Sequence, residues 1–134
     1  MSTIHTNMFD YSRIKDKLKQ DPRILAAYLL GSVANGNMRP DSDIDIAILP
    51  QAETTLSHLE IFELAADLTE IAARNVDLGL LSSQNLVYAS EALLKGQRIC
   101  CQDIPQTDLM VATLLGLSLE FNIERKEIID VYTA

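Results

Sequence analysis

Residues 31–49, GSVANGNMRPDSDIDIAIL, decide the fold of this 134-residue chain. The stretch opens on a Gly-Ser pair and closes on isoleucines that alternate with Asp43 and Asp45. Alternation with a period of two predicts a β-strand whose isoleucines face a core while both aspartates lie on the opposite face. Because a charged group is costly to bury without a partner, these carboxylates either face solvent or bind something positively charged.

Apolar runs on both sides of this stretch extend it into a small α/β domain. The run ILAAYLL at 24–30 has the length of a strand buried on both faces, and it stops at Gly31. Helical spacing and turn residues predict the remaining elements: a helix around 11–18, a helix at about 55–74, a strand at 76–81, a helix from Ser82 or Ser83 to Lys95 ended by Gly96, an edge strand at 98–101, and a long helix from near Pro105 towards Tyr132. Since no repeat or linker divides the chain, we expect one domain over residues 1–134.

The composition excludes several classes of protein. With 48% hydrophobic and 22% charged residues, the chain has ordinary globular usage rather than the composition of a disordered protein. A formal net charge of −8 argues against binding nucleic acid through a basic surface, but suits a basic protein partner or bound metal cations. A disulfide between the adjacent Cys100 and Cys101 would be strained, which favours a reducing compartment. The first ten residues do not have the apolar core of a secretion signal. The most apolar run, 109–119, is too short to span a membrane. We therefore expect a soluble, reduced, cytoplasmic protein.

The last predicted helix is unusually apolar over residues 109–123. Packing against the core of the domain is the explanation that we favour, because an apolar helix face is normally buried in this way. The alternative is that part of this surface docks a partner protein.

Asp43 and Asp45 admit a catalytic and a structural interpretation. On one face of a strand, residues i and i+2 lie about 6.6 Å apart. Both carboxylates can therefore reach a pair of divalent ions spaced roughly 3.5–4 Å apart, as in phosphoryl-transfer sites. Oxygen ligands favour Mg²⁺, whereas His5 and His58 are isolated in the sequence and form no cluster for zinc. Alternating acids on a solvated sheet face would give the same short pattern.

The Gly31-Ser32 pair favours the catalytic interpretation. A turn of this kind at the end of a strand presents backbone N–H groups and a hydroxyl to an anion such as a nucleotide phosphate. The returning strand then brings Asp43 and Asp45, with any metal that they bind, to the same phosphates. A P-loop would need G-K-[ST] and a dinucleotide fold would need G-x-G-x-x-G, and the chain has neither motif.

The Gly-Ser pair, the ten residues after it and the D-I-D triplet resemble the signature of the polymerase-β-like nucleotidyltransferases, G-S-x10-D-x-D. The short chain is similar to their minimal class, the MNT antitoxins that are paired with HEPN ribonuclease toxins. The resemblance implies a small mixed sheet packed with helices, ATP as substrate, and Mg²⁺, as two ions, for cofactor. It also implies that Asp43 and Asp45 bind metal and act in catalysis, and that Gly31 and Ser32 bind the nucleotide.

The resemblance further implies a third carboxylate from a later strand, and Asp77 in NVDLGLL matches it. Asp77 is the only acid in that apolar run and Gly79 leaves room on its face, although an isolated aspartate near a strand start is more often a turn or capping residue. Its implied role is to hold the catalytic metal and to help deprotonate the acceptor hydroxyl. Many relatives have an arginine where this chain has Asn35. Arg39 is an alternative source of that contact, but a solvated loop residue is the interpretation that we favour.

The function implied by the resemblance is transfer of AMP from ATP to a tyrosine hydroxyl of a cognate HEPN toxin, with release of pyrophosphate. Two other functions stay open at this point. A small-molecule nucleotidyltransferase of the antibiotic-modifying type would use the same acids, although such enzymes usually carry an extra substrate-binding domain. A catalytically inert antitoxin would act by binding alone, and the three intact carboxylates argue against it. Direct binding of nucleic acid and association with a membrane are not expected.

Overall fold

The computed structural model describes residues 11–31 and 43–133. In chain order its elements are α1 (Ser12–Lys19), β1 (Ile24–Leu30), β2 (Ile44–Pro50), α2 (His58–Ala72), β3 (Val76–Leu80), α3 (Leu86–Lys95), β4 (Gln97–Cys101) and α4 (Ile104–Thr133). This is the predicted order of helices and strands, and the α/β class is confirmed. Most of the connection between β1 and β2, with Ser32, Asn35 and Arg39, lies outside the described residues.

The four strands form one mixed sheet in the order β3-β2-β1-β4. β1 pairs antiparallel with β2 and with β4, whereas β2 pairs parallel with β3. β4 lies at one edge of the sheet, as predicted, and β3 lies at the other. Because parallel strands begin at the same end of a sheet, the start of β2, which carries Asp45, lies beside the start of β3, which carries Asp77.

Helices cover both faces of this sheet. On one face, α1 and α2 pack against the isoleucines of β2, with Leu64 of α2 buried there. On the other face, α3 and α4 pack over Ala47 and Leu49, with Ala89 of α3 buried among them. β1 lies in the middle and six of its seven residues are buried, which confirms that this strand is covered on both faces. Asp45 alternates with the isoleucines and therefore shares the face that carries α3.

The start of α3 differs from the prediction. Neither Ser82 nor Ser83 caps this helix, which begins at Leu86 after Asn85. Ser82 instead closes the preceding turn, because its hydroxyl accepts a hydrogen bond from the backbone N–H of Gln84 (3.2 Å) and donates one to the Asn85 side chain (3.2 Å). A serine that is engaged in its own turn does not reach the N–H groups of the helix, so the cap prediction is wrong.

Gly96 ends α3 as predicted, but packing rather than backbone conformation requires it. Its φ is −78°, and an added Cβ would lie 2.5 Å from the Ala92 carbonyl oxygen and 2.7 Å from Leu30 Cδ2. We expect Gly96→Ala to lower the free energy of unfolding by about 1–3 kcal/mol in urea denaturation. The control is Gly116→Ala within α4, where an added Cβ has no neighbour within 4 Å, and a gain of about 0.5–1 kcal/mol is expected. Equal effects of the two substitutions would contradict this explanation.

The long helix α4 lies mostly outside the core. Leu114 and Ser118 are buried, but Leu109 is 69% exposed and the side chains of residues 119–131 are all exposed. The prediction that the apolar run at 109–123 packs into the core is therefore wrong for most of the run, because only one stripe of the helix meets the domain. Within the described parts of the chain, no helix is long and apolar enough to cross a membrane.

Candidate active site

Three carboxylates gather at the end of the sheet where β2 and β3 begin. Asp45 and Asp77 are paired in register on these adjacent parallel strands, and Asp43 stands immediately before β2. All three residues are exposed. The structure thus brings Asp77, which the family resemblance indicates, next to Asp43 and Asp45, which the alternating pattern indicates. These acids are separated by up to 34 positions along the chain.

Gly31 brings the end of β1 to the same place. Leu30, the last residue of β1, is the register partner of Asp45. Gly31 follows it with φ of +69°, a conformation that favours glycine, and a Cβ added there would lie 3.5 Å from Asp45 Oδ2. The backbone at Gly31 is therefore next to the carboxylates, while Ser32, its predicted companion, lies outside the described residues.

The electrostatic environment of Asp45 disfavours its ionised form. Partial burial of the carboxyl group raises the pKa of Asp45, and the charges of Asp77 and Asp43 raise that pKa further. No lysine or arginine among the described residues forms an ion pair with any of the three acids. A cation bound between these like charges would relieve their repulsion, so the cluster is suited to bind one.

Asp45→Asn is expected to stabilise the metal-free protein at pH 7. Because the pKa of Asp45 is raised by folding, its ionised form destabilises the fold, and that effect disappears as the pH falls through the raised pKa towards the ordinary value of 3.8. Calorimetry in EDTA should show a melting temperature higher by about 1–3 °C at pH 7, with a smaller difference at acid pH. Asp67→Asn, a change at an exposed acid paired with Lys17, should show no gain. A gain in melting temperature for Asp45→Asn that grows on acidification would contradict a destabilising effect of the ionised carboxylate.

The acids present fit Mg²⁺ bound together with a nucleotide. Among residues 11–31 and 43–133, no three His, Cys, Asp or Glu side chains are close enough to form a complete metal site on their own. The in-register pair Asp45 and Asp77 offers carboxylate oxygens, which are the ligands that Mg²⁺ prefers. Mg²⁺ commonly takes only one or two protein carboxylates and completes its shell with water and substrate phosphates.

Tyr88 is a residue of this site that sequence reasoning missed. A Cβ on Gly79 would lie 2.1 Å from Tyr88 Oη and 2.5 Å from its Cζ, so the tip of the tyrosine fills the room that Gly79 leaves on the face of Asp77. The pKa of the Tyr88 hydroxyl is raised by burial and by the charge of Asp45. Glycine inside a strand often marks the close approach of another group, and this is the signal that the sequence carries.

Two cavities adjoin the carboxylates. The first, of about 390 Å³, is lined by Asp45 and Asp77 together with Leu30 and Tyr88; we call it the carboxylate cavity. The second, of about 230 Å³, shares Leu30 and Tyr88 with the first and includes Gly31; we call it the Gly31 cavity. Their combined size falls within the range of roughly 300–1,000 Å³ that is common for small-molecule sites.

The other residues considered from the sequence do not join this site. His58 is the exposed first residue of α2, and His5 lies outside the described residues. Arg39, for which the solvated loop is the favoured interpretation, also lies outside them. Cys100 and Cys101 are free thiols, as predicted.

Comparison with known protein families and sequences finds close counterparts. The family model described as polymerase beta, nucleotidyltransferase matches residues 12–105, which include all three carboxylates. The protein adenylyltransferase MntA of Shewanella oneidensis is 31% identical over 116 residues, which cover 85% of this chain and 81% of that protein.

Solved structures share the fold as well. A chain in a crystal structure of a toxin–antitoxin with AMP-PNP superposes with a TM-score of 0.77 at 28% identity, covering 93% of this chain and 99% of its own length. A chain from the structure of tri-AMPylated Shewanella oneidensis HEPN toxin in complex with MNT antitoxin has a TM-score of 0.70 at 27% identity. The match covers 91% of this chain and 94% of that chain. The mixed sheet and the helices of this chain therefore have counterparts over nearly its whole length.

Proposed function

Because the chain belongs to the polymerase β nucleotidyltransferase family, we propose that it is a protein adenylyltransferase that acts as an antitoxin. It transfers AMP from ATP to a tyrosine hydroxyl of a cognate HEPN ribonuclease toxin and thereby neutralises the toxin. The observation that carries the proposal is the in-register pair of Asp45 and Asp77 beside the left-handed Gly31. The 31% identity to a protein adenylyltransferase supports AMP as the transferred group.

In this reaction the tyrosine oxygen attacks the α-phosphorus of ATP, and the bond from that phosphorus to the bridging oxygen of pyrophosphate breaks. The attacking hydroxyl loses its proton as the new bond forms, and we assign Asp77 as the carboxylate that helps to remove it. Asp77 is exposed on the edge strand β3, so a hydroxyl on a second protein is able to reach it. Pyrophosphate leaves on the far side, because attacking and leaving oxygens lie roughly in line.

We assign the binding of Mg²⁺, as two ions, to Asp43, Asp45 and Asp77 together with the phosphates of ATP. When bound, Mg²⁺ supplies positive charge that stabilises the phosphates during transfer. Gly31 keeps the end of β1 free of a side chain, which allows phosphate oxygens to approach the backbone beside Asp45. The free thiols of β4 suit the reducing cytoplasm, which is the compartment that we assign to the reaction.

Ser32→Ala is expected to weaken the binding of ATP without unfolding the chain. In this proposal the Ser32 hydroxyl donates one hydrogen bond to a phosphate oxygen, and loss of a bond to a charged group costs about 1–3 kcal/mol. Calorimetric titration with ATP in Mg²⁺ measures the change in affinity. Thr113→Ala, which removes an exposed hydroxyl on α4, should leave the affinity unchanged. Equal affinity for ATP in the wild type and in Ser32→Ala would remove Ser32 from the site.

Labelled ATP tests the reaction class. With label in the α-phosphate, the HEPN protein is expected to become labelled; with label in the γ-phosphate, it is expected to stay unlabelled, because that phosphate leaves in pyrophosphate. A kinase would give the reverse pattern. Label that appears on an added aminoglycoside, and on no protein, would contradict a protein acceptor and support an antibiotic-modifying enzyme.

A further inference from the structure

A groove runs from the carboxylate cavity along the start of α3 to α4. Residues 83–88, Glu91 and Phe121 line this concave space of about 570 Å³, which we call the α3–α4 groove. Tyr88 lines both the groove and the carboxylate cavity. The two spaces therefore meet at one side chain, and the mechanism described above leaves the groove unused.

Apolar side chains stand exposed along the α3–α4 groove. Val87 is 57% exposed and Phe121 is 40% exposed, although both are of a type that a protein normally buries. Ser83 and Gln84 are exposed beside them and offer side-chain donors and acceptors. A concave surface with apolar walls and a few polar groups is typical of a binding site rather than of a plain solvated surface.

Tyr88 connects the groove to the cavities that adjoin the carboxylates. Gly31, where the phosphates are proposed to bind, follows β1 in the interior of the sheet, two strands away from β3. The groove begins beyond Tyr88, whose tip lies on Gly79 of the edge strand that also carries Asp77. Tyr88 and Glu91 line both the groove and the Gly31 cavity. A segment in the groove therefore lies next to the place where the nucleotide is proposed to bind.

We propose that the α3–α4 groove binds the segment of the HEPN toxin that carries the acceptor tyrosine, with Val87 and Phe121 contacting the residues next to that tyrosine. This inference rests on the proposed function and names the surface that selects its protein substrate. The acceptor segment passes over Tyr88, and its hydroxyl reaches Asp77 in the carboxylate cavity.

Charge identifies the kind of segment that fits. Glu91 is the one charged residue among the described residues that line the groove. Its ion pair with Lys95 (3.4 Å) is highly exposed on both sides, and such surface pairs contribute little, so Glu91 is available to a partner. With a net charge of −8 on the whole chain, complementarity favours a segment with lysine or arginine close to its tyrosine.

Kinetics with both substrates test the groove. We expect Val87→Ser and Phe121→Ala each to raise the KM for the HEPN protein by about tenfold, as for truncated interface anchors, with the KM for ATP changed by less than about twofold. Leu94→Ser and Phe62→Ala are the matched controls, because both side chains are 71% exposed and line neither the groove nor the carboxylate cavity. Neither control should change either KM. An unchanged KM for the HEPN protein in a variant that combines Val87→Ser with Phe121→Ala would overturn the proposal.

Photocrosslinking tests the same contact without catalysis. A benzophenone amino acid at position 87 is expected to crosslink to the HEPN segment with the acceptor tyrosine, whereas one at position 94 is not. The crosslink does not need ATP. A protein that gives this crosslink but transfers no AMP would therefore contradict the proposed function and still support binding of the segment in the groove. Absence of a crosslink from position 87, or a crosslink to another part of the HEPN protein, would contradict binding of the acceptor segment in the groove.

Discussion

Asp43→Asn and Asp45→Asn are each expected to lower the rate of AMP transfer by at least about 10³-fold while the protein stays folded. Each change removes a negative charge that binds the metal and leaves the size of the side chain almost the same. Both residues are exposed, so no core packing is lost. Incorporation of AMP into the HEPN protein, with ATP and Mg²⁺ in excess, measures the rate.

A matched control separates this effect from a general loss of charge. Asp67→Asn removes an exposed acid from α2 that forms a 3.8 Å ion pair with Lys17, and this variant should transfer AMP at the wild-type rate. Circular dichroism then checks that all variants are folded. A folded double variant, Asp43→Asn with Asp45→Asn, that retains the wild-type rate would contradict the metal site.

Asp77→Asn is expected to separate transfer from association. Asparagine does not accept the proton of the acceptor hydroxyl, so transfer should fall by about 10²–10⁴-fold. The affinity for the HEPN protein without ATP should change by less than about twofold, because Val87 and Phe121 are unaltered. Calorimetric titration measures this affinity. An inert antitoxin predicts instead that the variant still inhibits the toxin as well as the wild type does.

Local patterns were sufficient to predict the strands and the first two acids. The alternation around Asp43 and Asp45 fixes which face of β2 carries the charges, and the continuous run at 24–30 requires a strand covered on both faces. Asp77 is different. Only the parallel register of β3 with β2 places it opposite Asp45, and no local pattern contains that pairing, so its assignment depended on the family resemblance.

The features that sequence reasoning missed or mistook depend on contacts between distant segments. Gly79 signals a close approach, but nothing in its neighbourhood indicates that Tyr88, from the next helix, makes it. Ser82 has the right chemistry for a helix cap, yet a turn of its own takes its hydroxyl. The apolar run at 109–123 shows that α4 is able to be buried, but not how far the domain extends beneath it.

The most direct test of the central claim is the intact mass of the HEPN protein after incubation with this chain, ATP and Mg²⁺. Transfer of AMP predicts that the HEPN protein gains a whole number of AMP units. The gain should stop when EDTA removes the metal and should be absent with Asp77→Asn. A HEPN protein that keeps its original mass with the wild-type chain, while its ribonuclease activity is still inhibited without ATP, would contradict an adenylyltransferase and leave an antitoxin that acts by binding alone.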